Sequence, residues 1–157
     1  MSAEPVRVLF LCTGNSCRSQ MAEALARSLA GPRIEVHSAG TVPDTVNPLA
    51  VRAMAEVGID ISPHQSKSTE GFLDQPWDFV ITLCDRAREQ CATLPTAKEL
   101  IHWRIDDPVA AKSVESDPLR AYRRAREDLR HRIGLFLLSN RLLAKGLTEG
   151  PPSGGSR

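Results

Sequence analysis

One short segment of the sequence, residues 12–19, combines residue types that could together bind and attack an oxyanion. It reads Cys-Thr-Gly-Asn-Ser-Cys-Arg-Ser. Gly14 and Asn15 tolerate the positive φ angles that curl backbone N–H groups around an anion. The planar guanidinium of Arg18 can hold two oxygens of that anion at once. Because a helix N-terminus and Arg18 both favour a thiolate, Cys12 is predicted to be the nucleophile.

The neighbours of Cys12 in this segment have predicted roles of their own. We expect the hydroxyl of Ser19 to donate a hydrogen bond to the Cys12 thiolate. The residues predicted to bind the oxyanion are Thr13, Gly14, Asn15, Ser16, Cys17 and Arg18. In a chain of this composition, a Cys-x5-Arg-[Ser/Thr] pattern is expected by chance only about 0.05 times. This low expectation disfavours the alternative that Cys12 is merely a small buried residue at the end of a strand. A nucleotide-binding loop is excluded, because no Gly-Lys-[Ser/Thr] follows Gly14.

Two more cysteines, Cys84 and Cys91, are seven residues apart. An intact helix would separate them by about 10.5 Å, whereas the Cα atoms of a disulfide lie roughly 4.4–6.8 Å apart. A bond between them therefore requires the segment 85–90 to loop out, and we predict that this segment is the mobile part of the protein. One alternative is that these two thiols have no partner. The other is a four-cysteine zinc site. Such sites favour two to four residues between paired cysteines, whereas the two cysteine pairs of this chain are separated by four and six residues.

Hydrophobic periodicity predicts the elements that must position these cysteines. Strands are predicted at residues 6–11, 34–37, 79–83 and 100–102, and helices at 19–30, 47–57 and about 117–143, with a short helix before the fourth strand. This alternation predicts an α/β fold, a four-stranded parallel sheet with helices on both faces. Cys12 and Cys84 each follow a strand directly, at the edge where such sheets bind ligands. If those strands are neighbours, about 4.8 Å apart, Cys84 can reach Cys12.

Composition and charge indicate one globular domain. Of the 157 residues, 41% are hydrophobic, and 20 Lys and Arg against 19 Asp and Glu give a net charge of +1. This balance indicates neither a nucleic-acid nor a membrane partner, and the first residues do not have the pattern of a signal peptide. We therefore expect a cytoplasmic monomer with a single domain, residues 1–146, and a disordered tail, residues 147–157, rich in Gly, Pro and Ser.

The segment from Cys12 to Glu23 closely resembles the loop of arsenate reductases built on the low-molecular-weight protein tyrosine phosphatase fold. Other matching stretches are residues 38–40, 82–84, 102–103 and 107–108, so that the resemblance covers about residues 6–143. It implies a three-layer α/β/α fold. The resemblance also implies that Cys12 and Arg18 are catalytic, because both branches of that family would use them.

Other residues distinguish the two branches of this family. The phosphatase branch usually has Pro at the position of Gln20 and an aromatic residue at the position of Val109, and this chain has neither. The reductase branch needs two further cysteines, and Cys84 and Cys91 stand at the matching places. The resemblance therefore implies an arsenate reductase.

Such a reductase would convert arsenate to arsenite through a Cys12 thiolate–arsenate adduct and a disulfide relay from Cys12 to Cys84 to Cys91. Asp107 is the predicted general acid, with Asp106 as the alternative. Phosphate would compete with arsenate for the loop. A thioredoxin or a similar reductant would restore the thiols.

Two other functions remain open on the sequence. The chain could be a low-molecular-weight protein tyrosine phosphatase with a Cys12 phospho-intermediate, or a non-catalytic oxyanion-binding redox sensor, although a sensor needs no general acid such as Asp107. No cofactor and no metal site are expected. Some members of the family bind potassium beside the loop, but Lys67 stands here in place of a carboxylate ligand. We expect its ammonium to replace the ion, so that activity is the same in potassium and in sodium.

Overall fold

The computed structural model describes residues 4–91, 93–111 and 117–144. It contains one sheet, formed by β1 (Val6–Cys12), β2 (Ile34–Gly40), β3 (Trp77–Thr82) and β4 (Ala97–His102). All neighbouring strands are parallel, in the order β2-β1-β3-β4. The four-stranded parallel sheet is thus confirmed, and the two strands that precede Cys12 and Cys84 are neighbours. The tail at 147–157 lies outside the described residues, and the single domain of residues 1–146 remains a prediction.

β2 extends to Gly40, past the end that hydrophobicity predicts at residue 37. Its register with β1 is continuous, from Val6 opposite Ile34 to Cys12 opposite Gly40. Ser38 to Gly40 have little intrinsic strand preference, so it is the backbone pairing with β1 that keeps them extended. This pairing places the end of β2 directly beside Cys12.

The described part of the chain forms five helices. They are α1 (Arg18–Leu29), α2 (Pro48–Ala55), α3 (Asp85–Gln90), α4 (Pro108–Ala111) and α5 (Leu119–Ser139). α1 packs on β1 and β2 and against α5, α2 packs against α5, and α3 packs on β1 and β3. These contacts complete the predicted fold with its helical layers on the sheet. The sequence did not predict α4, because a helix of four residues is too short to show periodicity.

α5 ends at Ser139, earlier than the predicted residue 143. Arg141 has a φ of 57°, and the backbone N–H of Leu142 donates to the carbonyl of Leu137 at 2.7 Å. This is the left-handed helix ending that glycine usually forms, and an arginine in its place gave no signal in the sequence. Leu143, the last residue of the predicted helix, instead pairs with Ala30 in an antiparallel bridge.

β1 forms the centre of the hydrophobic core, since Val8, Leu9, Phe10 and Leu11 are all fully buried. An apolar run buried on both faces is typical of a central parallel strand. The core thus fixes the end of β1, where Cys12 begins the loop. No helix within residues 4–91, 93–111 and 117–144 is both long and apolar enough to cross a membrane.

Candidate active site

The predicted oxyanion loop lies between the end of β1 and the start of α1. Asn15 takes a φ of 49°, the left-handed conformation that curls the loop. The loop forms one wall of a cavity of about 330 Å³, and Asp44, Asp107 and Val109 contribute to the opposite side. Cys12 and Arg18 both line this cavity.

The segment that follows β2 holds the carbonyl groups of the loop. The backbone N–H of Val42 donates to Thr13 at 2.8 Å, that of Asp44 to Gly14 at 3.0 Å, and that of Asn47 to Ser16 at 2.8 Å. Carbonyl oxygens would repel a bound oxyanion, so engaging them elsewhere presets the loop for anion binding. The sequence analysis missed this role because it depends on backbone groups.

Gly40 makes this arrangement sterically possible. A Cβ atom at this position would lie 2.5 Å from the carbonyl oxygen of Thr13 and 2.6 Å from the backbone nitrogen of Asn15. No side chain can be accommodated at such distances without moving the loop. The close approach of β2 to the loop therefore requires glycine.

The sulfur of Cys12 contacts the hydroxyl of Ser19, as the sequence predicts. The distance from Sγ to Oγ is 2.9 Å, and both residues are buried. Nδ2 of Asn15 donates to the same hydroxyl oxygen at 2.8 Å. Because that oxygen already accepts from Asn15, the hydroxyl hydrogen of Ser19 is left for the sulfur, where it would stabilise a thiolate.

Arg18 connects the oxyanion loop to the loop that carries the predicted acid. Its Nη1 donates to the carbonyl of Ile105 at 2.9 Å, and its Nη2 is 3.8 Å from a carboxylate oxygen of Asp107. Asp107 lines the same cavity as Cys12, whereas Asp106 lines only a neighbouring hollow. The geometry thus favours Asp107 over Asp106 as the acid.

Cys84 lies beside the oxyanion loop, at the N-cap of α3. Its sulfur is 3.3 Å from the hydroxyl of Thr13 and accepts from the backbone N–H of Ala87 at 3.4 Å. A hydroxyl and a helix N-terminus are both groups that favour a thiolate. The sequence placed Cys84 near Cys12 but missed the contribution of Thr13, whose only signal was a hydroxyl next to the nucleophile.

Cys91 lies at the other end of α3, as its C-cap. It is 2% exposed and lines a separate cavity of about 420 Å³ together with Arg88, Leu100 and His102. Burial raises the pKa of Cys91, so its thiol is protonated at neutral pH. All four cysteines are free thiols, and with α3 intact Cys91 is not brought to Cys84.

Cys17 precedes α1 and is buried. Burial raises the pKa of its thiol, and Cys12 and Asp107 act in the same direction while Arg18 opposes them. A protonated, buried thiol is a poor nucleophile. Its backbone can serve the loop, but its sulfur has no place in the chemistry.

A cluster of charges surrounds the buried carboxylate of Glu23, behind the loop. The carboxylate of Glu23 is 2.6 Å from Arg27 and 3.4 Å from the ammonium of Lys67, and it accepts a hydrogen bond from Ser38. Lys67 thus occupies the position where the sequence analysis expects a cation. Among the described residues, no three His, Cys, Asp or Glu side chains are grouped as a metal site would require.

The profile of the family described as low molecular weight phosphotyrosine protein phosphatase matches residues 7–145. An arsenate reductase of Halalkalibacterium halodurans is 44% identical over 129 residues, which cover 82% of this chain and 93% of the relative. Among solved structures, an arsenate reductase in its phosphate-binding state superposes with a TM-score of 0.71 at 34% identity, covering 85% of this chain and 98% of the other. A thioredoxin-dependent arsenate reductase of Corynebacterium glutamicum gives a TM-score of 0.65 at 27% identity, covering 88% and 65% respectively.

Proposed function

The chain belongs to the low molecular weight phosphotyrosine protein phosphatase family, and within that family we propose that it is an arsenate reductase that works through three cysteines. The relative at 44% identity carries that activity in its name. Cys12, Cys84 and Cys91 are the three cysteines, and Arg18 and Asp107 complete the catalytic set.

The contact between Thr13 and Cys84 is the observation that carries this proposal. Hydrolysis of a phosphate ester needs a nucleophile, an oxyanion-binding loop and an acid, which Cys12, Arg18 and Asp107 can supply. It does not need a second thiol. The Cys84 sulfur lies 3.3 Å from the hydroxyl of Thr13, the residue next to Cys12, and this contact supports the proposal that Cys84 attacks the Cys12 sulfur once that sulfur has reacted.

In the first step, the Cys12 thiolate attacks arsenic. The arsenate is held by the N–H groups of the loop and by Arg18. A bond between sulfur and arsenic forms, and a bond between arsenic and oxygen breaks. Asp107 gives its proton to the departing hydroxide, which leaves as water.

In the second step, Cys84 attacks the sulfur of Cys12. The Cys12–Cys84 disulfide forms while the bond between Cys12 and arsenic breaks. The electron pair of that bond stays on arsenic, which is thereby reduced from As(V) to As(III) and leaves as arsenite. The donors from Thr13 and Ala87 support Cys84 as the attacking thiolate.

In the third step, unwinding of α3 exposes Cys91, whose thiol loses its proton to solvent; the resulting thiolate attacks the sulfur of Cys84 and releases Cys12 as a thiolate. Since α3 separates the two thiols, this step requires α3 to unwind. The net reaction converts one arsenate and two thiols into arsenite, one disulfide and water. The resulting Cys84–Cys91 disulfide is the substrate of the external reductant.

A thioredoxin-like donor is the reductant that this scheme fits. The structural neighbour from Corynebacterium glutamicum is described as thioredoxin-dependent, and a dithiol protein can reduce the final disulfide directly. Such chemistry belongs in the cytoplasm, where thiols are kept reduced. We further propose that the chain works as a monomer, that phosphate competes with arsenate, and that no cofactor takes part.

A weak phosphatase activity is a second function that the site supports. Cys12, Arg18 and Asp107 line one cavity, and together they suffice for hydrolysis through a phosphocysteine. None of the described residues that line the cavity is aromatic. Val109, which directly follows Pro108, is aliphatic. Small phosphate esters are therefore better substrates than phosphotyrosine.

Counting free thiols tests the arsenate reductase directly. The fully reduced protein is mixed with arsenate in the absence of any external reductant. We expect a loss of two thiols per chain with one arsenite released, and peptide mapping should give a Cys84–Cys91 bond. In the Cys91→Ser variant the bond should be Cys12–Cys84 instead. Phosphate in place of arsenate is the control, and should leave every thiol free.

Unchanged thiols with arsenate would overturn the reductase. If the same protein then hydrolysed a small phosphate ester through a Cys12 phospho-intermediate, the phosphatase would become the main function.

A further inference from the structure

His102, the last residue of β4, lies beside α3, and no step of the proposed reaction uses it. Its Nε2 is 3.3 Å from a carboxylate oxygen of Asp85, the first residue of α3. The ring also lines the cavity of about 420 Å³ that contains Cys91. His102 is therefore next to the helix that must unwind before Cys91 can reach Cys84.

The hydroxyl of Thr82 places the ring hydrogen of His102 on Nε2. The two residues are paired across β3 and β4, and the Thr82 hydroxyl oxygen is 2.8 Å from Nδ1. The same hydroxyl is 3.4 Å from the carbonyl oxygen of Ile101, beyond the ordinary length of a hydrogen bond between two oxygens. Its hydrogen is therefore donated to Nδ1, and the hydrogen of the neutral ring is on Nε2. The protonated ring carries a hydrogen at Nε2 as well.

In the reduced fold this Nε2–H has no acceptor. Nε2 is buried, and among the described residues no group accepts a hydrogen bond from it. The carboxylate of Asp85 is close enough, at 3.3 Å, but it is not aligned with the N–H. A buried donor without an acceptor raises the free energy of the fold that contains it. A small movement of Asp85 toward the N–H would therefore lower that free energy.

Unwinding of α3 frees Asp85 to make this movement without carrying it away. Cys84 has an extended backbone and follows Leu83, whose N–H donates to the central strand β1 at 2.8 Å. Because adjacent Cα atoms are about 3.8 Å apart, Asp85 stays near this fixed point when the rest of α3 unwinds. The N–H of Trp103 donates to the carbonyl of Thr82 at 2.9 Å, which holds the end of β4 beside the same strand.

We propose that His102 is a positioning residue for the last step of the relay, in which its Nε2–H donates to the carboxylate of Asp85 once α3 has unwound. This hydrogen bond is absent from the reduced fold, so that it stabilises only the form with the Cys84–Cys91 disulfide. The start of the segment is held beside His102 while the end that carries Cys91 moves toward Cys84. The proposal deepens the function proposed above and rests on its third step.

The equilibrium between the Cys84–Cys91 disulfide and dithiothreitol tests this role. In this exchange one dithiol gives two electrons and two protons to the disulfide of the other partner, so that one disulfide forms as the other breaks. A Cys12→Ser background keeps Cys12 out of the exchange. Peptide mapping then measures the fraction of Cys84–Cys91 disulfide in buffers with different ratios of oxidised to reduced dithiothreitol.

Two substitutions of His102 separate Nε2 from the rest of the ring. His102→Asn keeps a polar atom at about the position of Nδ1 and has none at that of Nε2, whereas His102→Gln keeps an amide nitrogen near Nε2. We expect the equilibrium constant for disulfide formation to fall roughly threefold to tenfold in the Asn variant and to stay close to the parent in the Gln variant. Packing that is lost in both redox forms cancels in this constant. His131→Asn, which changes an exposed histidine of α5, is the matched control and should change nothing.

A background without the Asp85 carboxylate separates this hydrogen bond from other effects of the ring. In Asp85→Ala, the Asn and Gln variants of His102 should give the same equilibrium constant. The proposal is overturned if the constant does not fall in the Asn variant, if it falls equally in the Gln variant, or if the two variants still differ without the Asp85 carboxylate.

The outcomes for the relay and for His102 are distinguishable. The equilibrium needs no arsenate, so a protein that fails to reduce arsenate would refute the proposed function while the equilibrium still decides the role of His102. If arsenate is reduced and the Asn variant keeps the parent's constant, only the role of His102 is refuted. A protein that forms no Cys84–Cys91 disulfide in any of these buffers would refute both.

Discussion

Two hydroxyl groups act on two different sulfurs at this site. Ser19 contacts Cys12 and Thr13 contacts Cys84, at 2.9 and 3.3 Å. A hydrogen bond to a charged group contributes about 1.5–3 kcal/mol, so each hydroxyl can stabilise negative charge on the sulfur that it contacts. Each thiol can thus be activated separately, one for attack on arsenic and the other for attack on sulfur.

Removing the hydroxyl of Thr13 should slow the release of arsenite. In Thr13→Val the Cys84 thiolate loses one donor, so we expect single-turnover arsenite release to fall roughly tenfold. Rapid-quench measurement of arsenite gives this rate. Thr13→Ser keeps a hydroxyl and serves as the control. Equal rates in the Val and Ser variants would show that the hydroxyl does not act on Cys84.

Replacing the acid should slow the first chemical step. Asp107→Asn cannot protonate the departing hydroxide, so steady-state arsenate reduction should fall by about 10²–10⁴-fold, while alkylation of Cys12 continues. Asp106→Asn, which changes a carboxylate outside the cavity, should retain most of the activity. The assignment would be reversed if the Asp106 variant were the inactive one.

At the scale of elements, α3 separates the two thiols that form the final disulfide of the proposed reaction. Cys84 caps its start and Cys91 its end, and the helix has only six residues. Isolated helices this short are marginal in water, and within α3 only Ala87 is buried, so that little packing opposes its unwinding. A longer helix would have kept the resolving thiol out of reach.

Oxidation should therefore expose the backbone of α3 to exchange. After one turnover with arsenate and no reductant, we expect hydrogen exchange of amides 85–90 to become faster, because the Cys84–Cys91 bond cannot form on an intact helix. In Cys91→Ser the reaction stops at the Cys12–Cys84 bond, and α3 should keep its protection. Slow exchange in the oxidised wild type would refute the unwinding step.

The elements also show where sequence reasoning succeeds and where it stops. The loop around Cys12 and the succession of strands along the chain were predictable, because their signals are local residue types and hydrophobic runs. The backbone hydrogen bonds that Val42 and its neighbours make with the loop were not predictable, since any residue type can donate them. The end of α5 was wrong because Arg141 takes a conformation that usually needs glycine. α4 was missed because it is a single turn.

The hydrogen bonds that connect His64 to Gln20, at 3.1 Å, and Gln20 to Asn15, at 2.9 Å, were beyond prediction for a different reason. The three residues are brought together by tertiary contact between α1 and the segment after α2, and no spacing in the sequence relates them. Gln20 was noted only as a departure from the phosphatase pattern. In the structure, the amide nitrogen of Gln20 contacts Asn15 and its amide oxygen contacts His64.

At the scale of the whole molecule, an ion-pair cluster joins the helical layer. Glu56, just after α2, contacts Arg123 and Arg126 of α5 at 2.7 and 2.8 Å. Hydrogen bonds from Arg123 and then Arg126 lower the pKa of Glu56 to about 2. A carboxyl whose pKa is lower in the folded chain than in the unfolded chain stabilises the fold above its unfolded pKa. It loses that contribution as the pH falls through the folded value.

Glu56→Gln should therefore destabilise the protein in a pH-dependent way. We expect a lower midpoint of thermal unfolding than the wild type at pH 7, with the difference shrinking as the pH falls from about 4.3 to about 2. The effect should be modest and weaker in high salt, because the pair is partly exposed. Glu99→Gln, at an exposed position of β4, should not show it. A difference that stays constant with pH would mean that the effect is not electrostatic.

The cavities that contain Cys12 and Cys91 share no lining residue. A small inorganic anion can thus enter the cavity of Cys12 while a protein reductant binds at the cavity of Cys91. The anion and the reductant do not compete for one opening. In the proposed relay, oxidising equivalents pass outward through the protein itself, from the central strand toward the edge of the sheet. The anion pocket can therefore stay too narrow for any protein, and the enzyme is still regenerated by one.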